Sequence, residues 1–177
     1  MSKIGEKAKA VIVLAMHGAP PLDFPQPELA EFFGLHARIG HGEEGAAQDA
    51  PRLRYKELEA KVRAWPRTPQ NDPFYAGSLD LAEHLRRTSG LEVILGFNEF
   101  CAPTLDEAFD RAAGLAGEKI IVVTPMMTRG GEHSAVDIPE TIRRARDKHP
   151  TKQFIYAWPF AIEDIARFLA SQVSRFL

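Results

Sequence analysis

Four short apolar runs, each followed by a loop and then a helical pattern, restrict the fold of this chain more than any other feature. The first, residues 10–15, is continuously apolar, as expected for a central strand of a parallel sheet buried on both faces. The others are residues 91–97, 119–124 and 154–157. Between and after them, apolar spacing predicts helices over 52–64, 73–87, 138–148 and 162–176, with another from Thr104 to about Leu115. Local signals mark the ends. Thr104 with Glu107 forms a capping box, and Ser89-Gly90 closes the helix before the second strand. Asp137 is expected as the N-cap of the 138–148 helix, with Pro139 in its first turn and Glu140 three residues on. Such alternation implies an α/β fold: about four parallel strands, right-handed crossovers, and helices on both faces.

The first crossover is the anomaly. It occupies about 75 residues, where a βαβ unit needs only about 30. A proline-rich insertion over 20–72 accounts for the difference and is expected beside the ligand edge of a single domain. It holds a short helical stretch at 28–33, a glycine-dotted loop at 34–45 and the charged helix at 52–64.

Composition narrows the function classes. A formal net charge of -2 offers no surface for a polyanion, so nucleic acid is not expected as a partner. The single cysteine, Cys101, allows neither an internal disulfide nor a cysteine-based zinc knuckle. The N-terminus is polar and the apolar run at 10–16 is too short to span a bilayer, which predicts a cytoplasmic protein with no membrane partner. Nucleotide-binding and serine-hydrolase signatures (GxGxxG, GxxxxGK[ST], GxSxG) do not occur.

Chemistry concentrates on loops that leave the strands, because open parallel sheets bind ligands at their carboxyl edge. His17-Gly18 follows the first strand directly. The loop after the third strand carries Arg129, Gly130, Gly131, Glu132 and His133. If the two strands are neighbours, both imidazoles lie over one cleft, where they can bind a transition metal or take a proton near neutrality. Glu99 and Glu132 stand ready to add a carboxylate, and Arg129 to grip a substrate carboxylate. Spacing alone leaves open a blander reading, in which each is a loop histidine satisfied by water or backbone. Cys101 is expected to be buried and idle. His36 and His41, near Glu43 and Glu44, are assigned no role.

Three blocks in order resemble the class II metal chelatases of tetrapyrrole biosynthesis, specifically the short sirohydrochlorin chelatases. They are the apolar strand ending in His17-Gly18, then Phe97-Asn-Glu-Phe-Cys-Ala-Pro-Thr-Leu105, then Val123-Thr-Pro-Met-Met-Thr-Arg-Gly-Gly-Glu-His133 with Asp137-Ile-Pro139. The chain departs from the family pattern at Ala19-Pro20-Pro21, where a Ser-Arg-like continuation is usual, and at Ala102, often acidic. The resemblance implies a chelatase-like (flavodoxin-like) three-layer fold. It also implies insertion of a divalent metal (Co²⁺, Fe²⁺ or Ni²⁺), itself a substrate, into a sirohydrochlorin-like tetrapyrrole, with no organic cofactor. His17 and His133 would hold the metal and, with Glu99, assist proton removal. The 129–132 loop would meet the macrocycle, with Arg129 at the rim. Larger relatives carry two such lobes in one chain, so one lobe implies a homodimer. The alternative is a non-catalytic tetrapyrrole- or metal-binding protein of the same fold.

Overall fold

The computed structural model describes residues 8–40 and 49–177. Its elements run β1 (Ala8–Met16), α1 (Gln26–Gly40), α2 (Asp49–Arg63), α3 (Pro73–Ser89), β2 (Glu92–Phe97), α4 (Leu105–Leu115) and β3 (Ala116–Val123). A π-helical turn (His133–Asp137) then leads into α5 (Ile138–Lys148), β4 (Gln153–Tyr156) and α6 (Ile162–Val173). The four strands form one parallel sheet in the order β2-β1-β3-β4. β1 is therefore central, as its unbroken apolar run predicts, and its two neighbours are reached by crossovers in opposite directions. Open α/β sheets bind ligands at such a switch point.

The register sorts side chains onto two faces, because neighbours alternate along a strand. Val11, Val13, Ile94, Ile120, Val122 and Phe154 pack with Phe109, Ala112, Ile138 and Ile142 of α4 and α5 into a closed core. Fully burying each such large side chain contributes about 1.5–3 kcal/mol. On the opposite face Leu14, Met16 and Phe97 pack with Ala82 and Leu85 of α3. That face opens toward β4, where Ile155 is 37% exposed. α6 forms where expected and is amphipathic, yet none of its residues is buried. Phe168 and Leu169 stand more than half exposed on it.

Two local expectations are corrected. The helix begun near Glu28 does not stop before Gly34; α1 continues to Gly40. Packing supports the longer helix: Phe32 of α1 is buried against Tyr55 of α2, rings 5.0 Å apart, with Leu58 and Val62 buried in the same helix. Arg54 grips Glu31 with two 2.9 Å hydrogen bonds across the pair. Asp137 is not an N-cap. Its backbone is helical (φ -65°, ψ -48°) and its side chain caps nothing, because the π turn runs straight into α5. The capping box at Thr104 is present in both directions: Thr104 N–H donates to Glu107 at 2.7 Å, and Glu107 N–H to Thr104 Oγ1 at 3.2 Å. No described helix is long and apolar enough to cross a membrane.

Candidate metal centre at the sheet edge

Three loops leave the carboxyl ends of three adjacent strands, and each delivers one polar group to the same point. His17 comes directly after β1, Glu99 two residues after β2, and His133 from the π turn after β3. One ligand atom from each lies within 4.8 Å of the others. Among the described residues this is the one group of three or more His, Cys, Asp or Glu side chains so placed. The imidazoles meet edge to face, centroids 4.3 Å apart at 82°, and Glu99 Oε2 lies 4.0 Å from His17 Nε2. All three are partly exposed, as a group that must receive a ligand from solution requires.

The ring nitrogens are sorted by their partners. His17 Nδ1 lies 2.8 Å from the carbonyl of Gly18, and His133 Nδ1 lies 2.6 Å from Asp137 Oδ2. A carbonyl only accepts, so His17 Nδ1 carries hydrogen and its Nε2 lone pair is left to ligate or accept a proton, whereas His133 Nδ1 sits between an acceptor, Asp137 Oδ2, and a donor, the Asn98 amide nitrogen at 2.8 Å. The Asn98 amide donates to the same Asp137 oxygen at 3.2 Å. A carboxylate behind a ligating imidazole orients the ring and raises its basicity.

The backbone explains why the loops converge. Glu99 N–H donates to the carbonyl of His17 at 2.8 Å, and Asn98 N–H to that of Met16, also 2.8 Å. Gly18 sits at φ +107°, and a Cβ there would lie 1.9 Å from the carbonyl oxygen of Glu99. The approach therefore demands glycine.

Beside the triad lies a cavity of about 600 Å³, walled by Phe32 and Phe33 of α1, Tyr55 of α2, and Phe97 and Phe100. Asn98, Glu99 and Asp137 join it to the triad, and Arg63 and Arg144 add cationic groups. Burial and the nearby Glu59 and Glu99 carboxylates push the Tyr55 phenol up to about 12, so it stays neutral. Cys101 is buried, and burial raises its thiol, in keeping with an idle role.

The other expected residues fall elsewhere. Gly131 and Glu132 are exposed and line a second cavity of about 370 Å³ with Met126, Met127 and His133. Glu132 does not join the triad. Arg129 and Gly130 are exposed and line neither cavity. His36 lies on α1 with Nδ1 3.2 Å from the Tyr55 hydroxyl, whereas His41, Glu43 and Glu44 lie outside the described residues. Sequence reasoning missed the service of Asp137 and Asn98 to His133 and the aromatic wall from α1 and α2. The signal available for Asp137 was its spacing of four from His133.

A parallel α/β sheet with two histidines and a carboxylate gathered at its switch point places the chain in the open-sheet α/β class. The CbiX family model matches residues 72–175, more than half of the chain, and the chain belongs to that family. The match includes Glu99 and His133 and begins after His17. Similar proteins are a sirohydrochlorin ferrochelatase of Priestia megaterium, 26% identical over 38% of this chain and 25% of the relative, and a sirohydrochlorin cobaltochelatase of Methanopyrus kandleri, 36% identical over 35% of this chain and 43% of the relative. The chain thus spans less than half the length of each of these relatives. Among solved structures, the sirohydrochlorin chelatase SirB of Bacillus subtilis subspecies spizizenii in complex with cobalt aligns over 85% of this chain and 43% of its own, with 19% identity and a TM-score of 0.43. A CbiX protein of Marinobacter aquaeolei VT8 aligns over 94% and 98%, with 18% identity and a TM-score of 0.46.

Proposed function

We propose that this chain is a chelatase that inserts a divalent metal (Co²⁺, Fe²⁺ or Ni²⁺) into a sirohydrochlorin-like tetrapyrrole. The observation that carries the reading is the convergence of His17, Glu99 and His133 within 4.8 Å, with the His17 Nε2 kept free. Chelation requires a site that binds the ion and then lets it go. Two neutral imidazoles and one carboxylate are a sparse set, unlike the closed four-ligand shell of a structural zinc. Insertion replaces two pyrrole N–H protons by one M²⁺. As the ion moves to the macrocycle nitrogens, each vacated imidazole nitrogen or carboxylate oxygen becomes a base placed where a proton is leaving. Asp137 favours this step, because its carboxylate stabilises the imidazolium formed at His133. The aromatic wall of the 600 Å³ cavity suits a flat macrocycle, and Arg144 joins Arg129 as a candidate partner for its carboxylates.

The test is metal insertion followed by absorbance: sirohydrochlorin, Co²⁺ and protein, against the uncatalysed rate. The expected result is acceleration that His17→Ala or His133→Ala removes. Tight binding of the macrocycle with no acceleration would instead support a carrier of the same fold. The same reading makes the working unit a homodimer. In support, the apolar stripe of α6 and the open corner of the sheet at Ile155 are both unburied, and a standard interface buries about 800 Å² per partner. Sedimentation of wild type and Leu169→Glu should give a dimer and a monomer; two monomers would reject the dimer.

A further inference from the structure

The proline-rich segment between β1 and α3 ends in a buried arginine that the chelation chemistry does not itself use. Arg67 has a side chain 5% exposed and pairs with Asp72, whose side chain is 1% exposed. Its Nη1 donates to the carbonyl of Ala19 at 3.0 Å, and its Nη2 to the carbonyls of Phe100 at 2.6 Å and Val62 at 3.1 Å. Ala19 lies two residues beyond His17, and Phe100 directly follows Glu99. One rigid, planar group thus ties the loop bearing the first ligand to the loop bearing the second. Through Val62 and Asp72 it anchors both to the end of α2 and the start of α3, where Asp72 also accepts from Tyr75 N–H at 2.8 Å.

Two observations argue that the arrangement serves geometry and not stability alone. Arg67 Nε is buried without a partner, a cost that a plain structural filler would avoid. Phe100 holds a left-handed backbone, φ +55°, which persists only where its surroundings over-determine it. The carbonyl of that same residue receives the 2.6 Å bond from Arg67. Buried ion pairs are in general a poor source of stability against apolar replacements, so this one calls for another reason.

We infer that Arg67 is a positioning residue: it sets the separation of His17 and Glu99, and through it the metal affinity of the triad. The inference rests on the proposed metal role of that triad. It also gives the 20–72 segment a function, since that segment supplies the part that aligns two ligands it does not contain.

The test compares wild type with two variants. Arg67→Met/Asp72→Asn removes both charges, keeps volume and leaves an Asn to cap α3. Arg67→Lys keeps the charge pair and loses the fork that reaches both loops. For each, Co²⁺ affinity is measured by calorimetry, thermal stability by circular dichroism, and amide exchange over residues 16–20 and 97–101. The expected result is Co²⁺ affinity reduced about tenfold or more, with faster exchange confined to those two segments, in whichever variants melt near wild type. A folded variant with wild-type Co²⁺ affinity and wild-type exchange overturns the role of Arg67 while leaving the metal reading intact. Wild type that fails to bind Co²⁺ overturns the metal reading; unchanged exchange in the variants would then overturn the positioning role as well. Should the double variant not fold, Arg67→Lys decides alone by the same criteria.

Discussion

His17 and His133 reach the same few ångströms by different means. The His17 loop leaves its strand at once and is held through the backbone: by the carbonyl–amide bond to Glu99, by the Gly18 approach and by Arg67 on Ala19. The His133 loop travels nine residues beyond β3 and is held through side chains. Asp137 and Asn98 fix the ring, and the Tyr156 hydroxyl donates to the carbonyl of Ser134 at 2.9 Å. A backbone-held ligand tolerates little change in chain conformation, whereas a side-chain-held ligand depends on the identity of its partners. The first loop should therefore break by steric change and the second by chemical change.

Glycine substitutions give the widest contrast. Gly18→Ala meets both an unfavourable φ of +107° and a 1.9 Å collision with backbone. It should lower the melting temperature sharply and abolish Co²⁺ binding. Gly130→Ala, at φ +87° with nothing within 4 Å of its Cβ, meets only the backbone penalty of about 1 kcal/mol. Similar melting curves for the two variants would break the comparison. Next in size, Asp137→Asn keeps the shape of the His133 loop and weakens its acceptor. Loss of such an outer partner typically costs about 10–100-fold in metal affinity, so calorimetry should register that fall with little change in melting temperature. Unaltered affinity would mean that the Asp137 contact does not tune the site.

The smallest effect separates the site's pH response from that of the fold. Hydrogen bonds from Lys148 and His149 hold the Asp110 carboxyl below its usual range. A carboxyl with a depressed folded-state value stabilises the fold above its unfolded value of about 3.9, and that contribution is lost as pH falls through the folded value. Acid melts of wild type and Asp110→Asn should differ modestly above about pH 4, wild type being the more stable, and converge below it; the difference is small because the pair is solvent-exposed and screened. Co²⁺ affinity should also fall on acidification, because imidazole must be neutral to ligate, and that fall should be identical in the two proteins.

Much of this arrangement was legible before any coordinates. Strand-exit loops announce themselves by β-branched runs that end in glycine or proline, which is why His17, Glu99 and His133 stood out and why all four strands were located to within a few residues. Asp137 was misread because its Pro and Glu neighbours mimic a helix start. The wide turn before it carries no distinct residue pattern. Arg67 was invisible for another reason: its partners are mainly carbonyl groups, which every residue possesses. Gly34 argued for a loop, and the packing of Phe32 on Tyr55 overrode that local preference. The stripe of α6 could be read from spacing, but what it packs against depends on surfaces brought together only in the fold.

The π turn has a consequence for how this chain can vary in length. Its backbone closes from Ile138 N–H to the carbonyl of His133, five residues apart, so the turn contains one residue more than α geometry would use. Deleting any one of Ser134, Ala135 or Val136 would remove that extra residue and shorten the His133–Asp137 spacing from four residues to three, which changes how the ring meets its carboxylate. The exposed side chains of Ala135 and Val136 can be exchanged more freely than the number of residues can change, whereas Ser134 is buried and donates to the Gly131 carbonyl. At codons 135 and 136 the gene should accept point substitutions and reject single-codon loss.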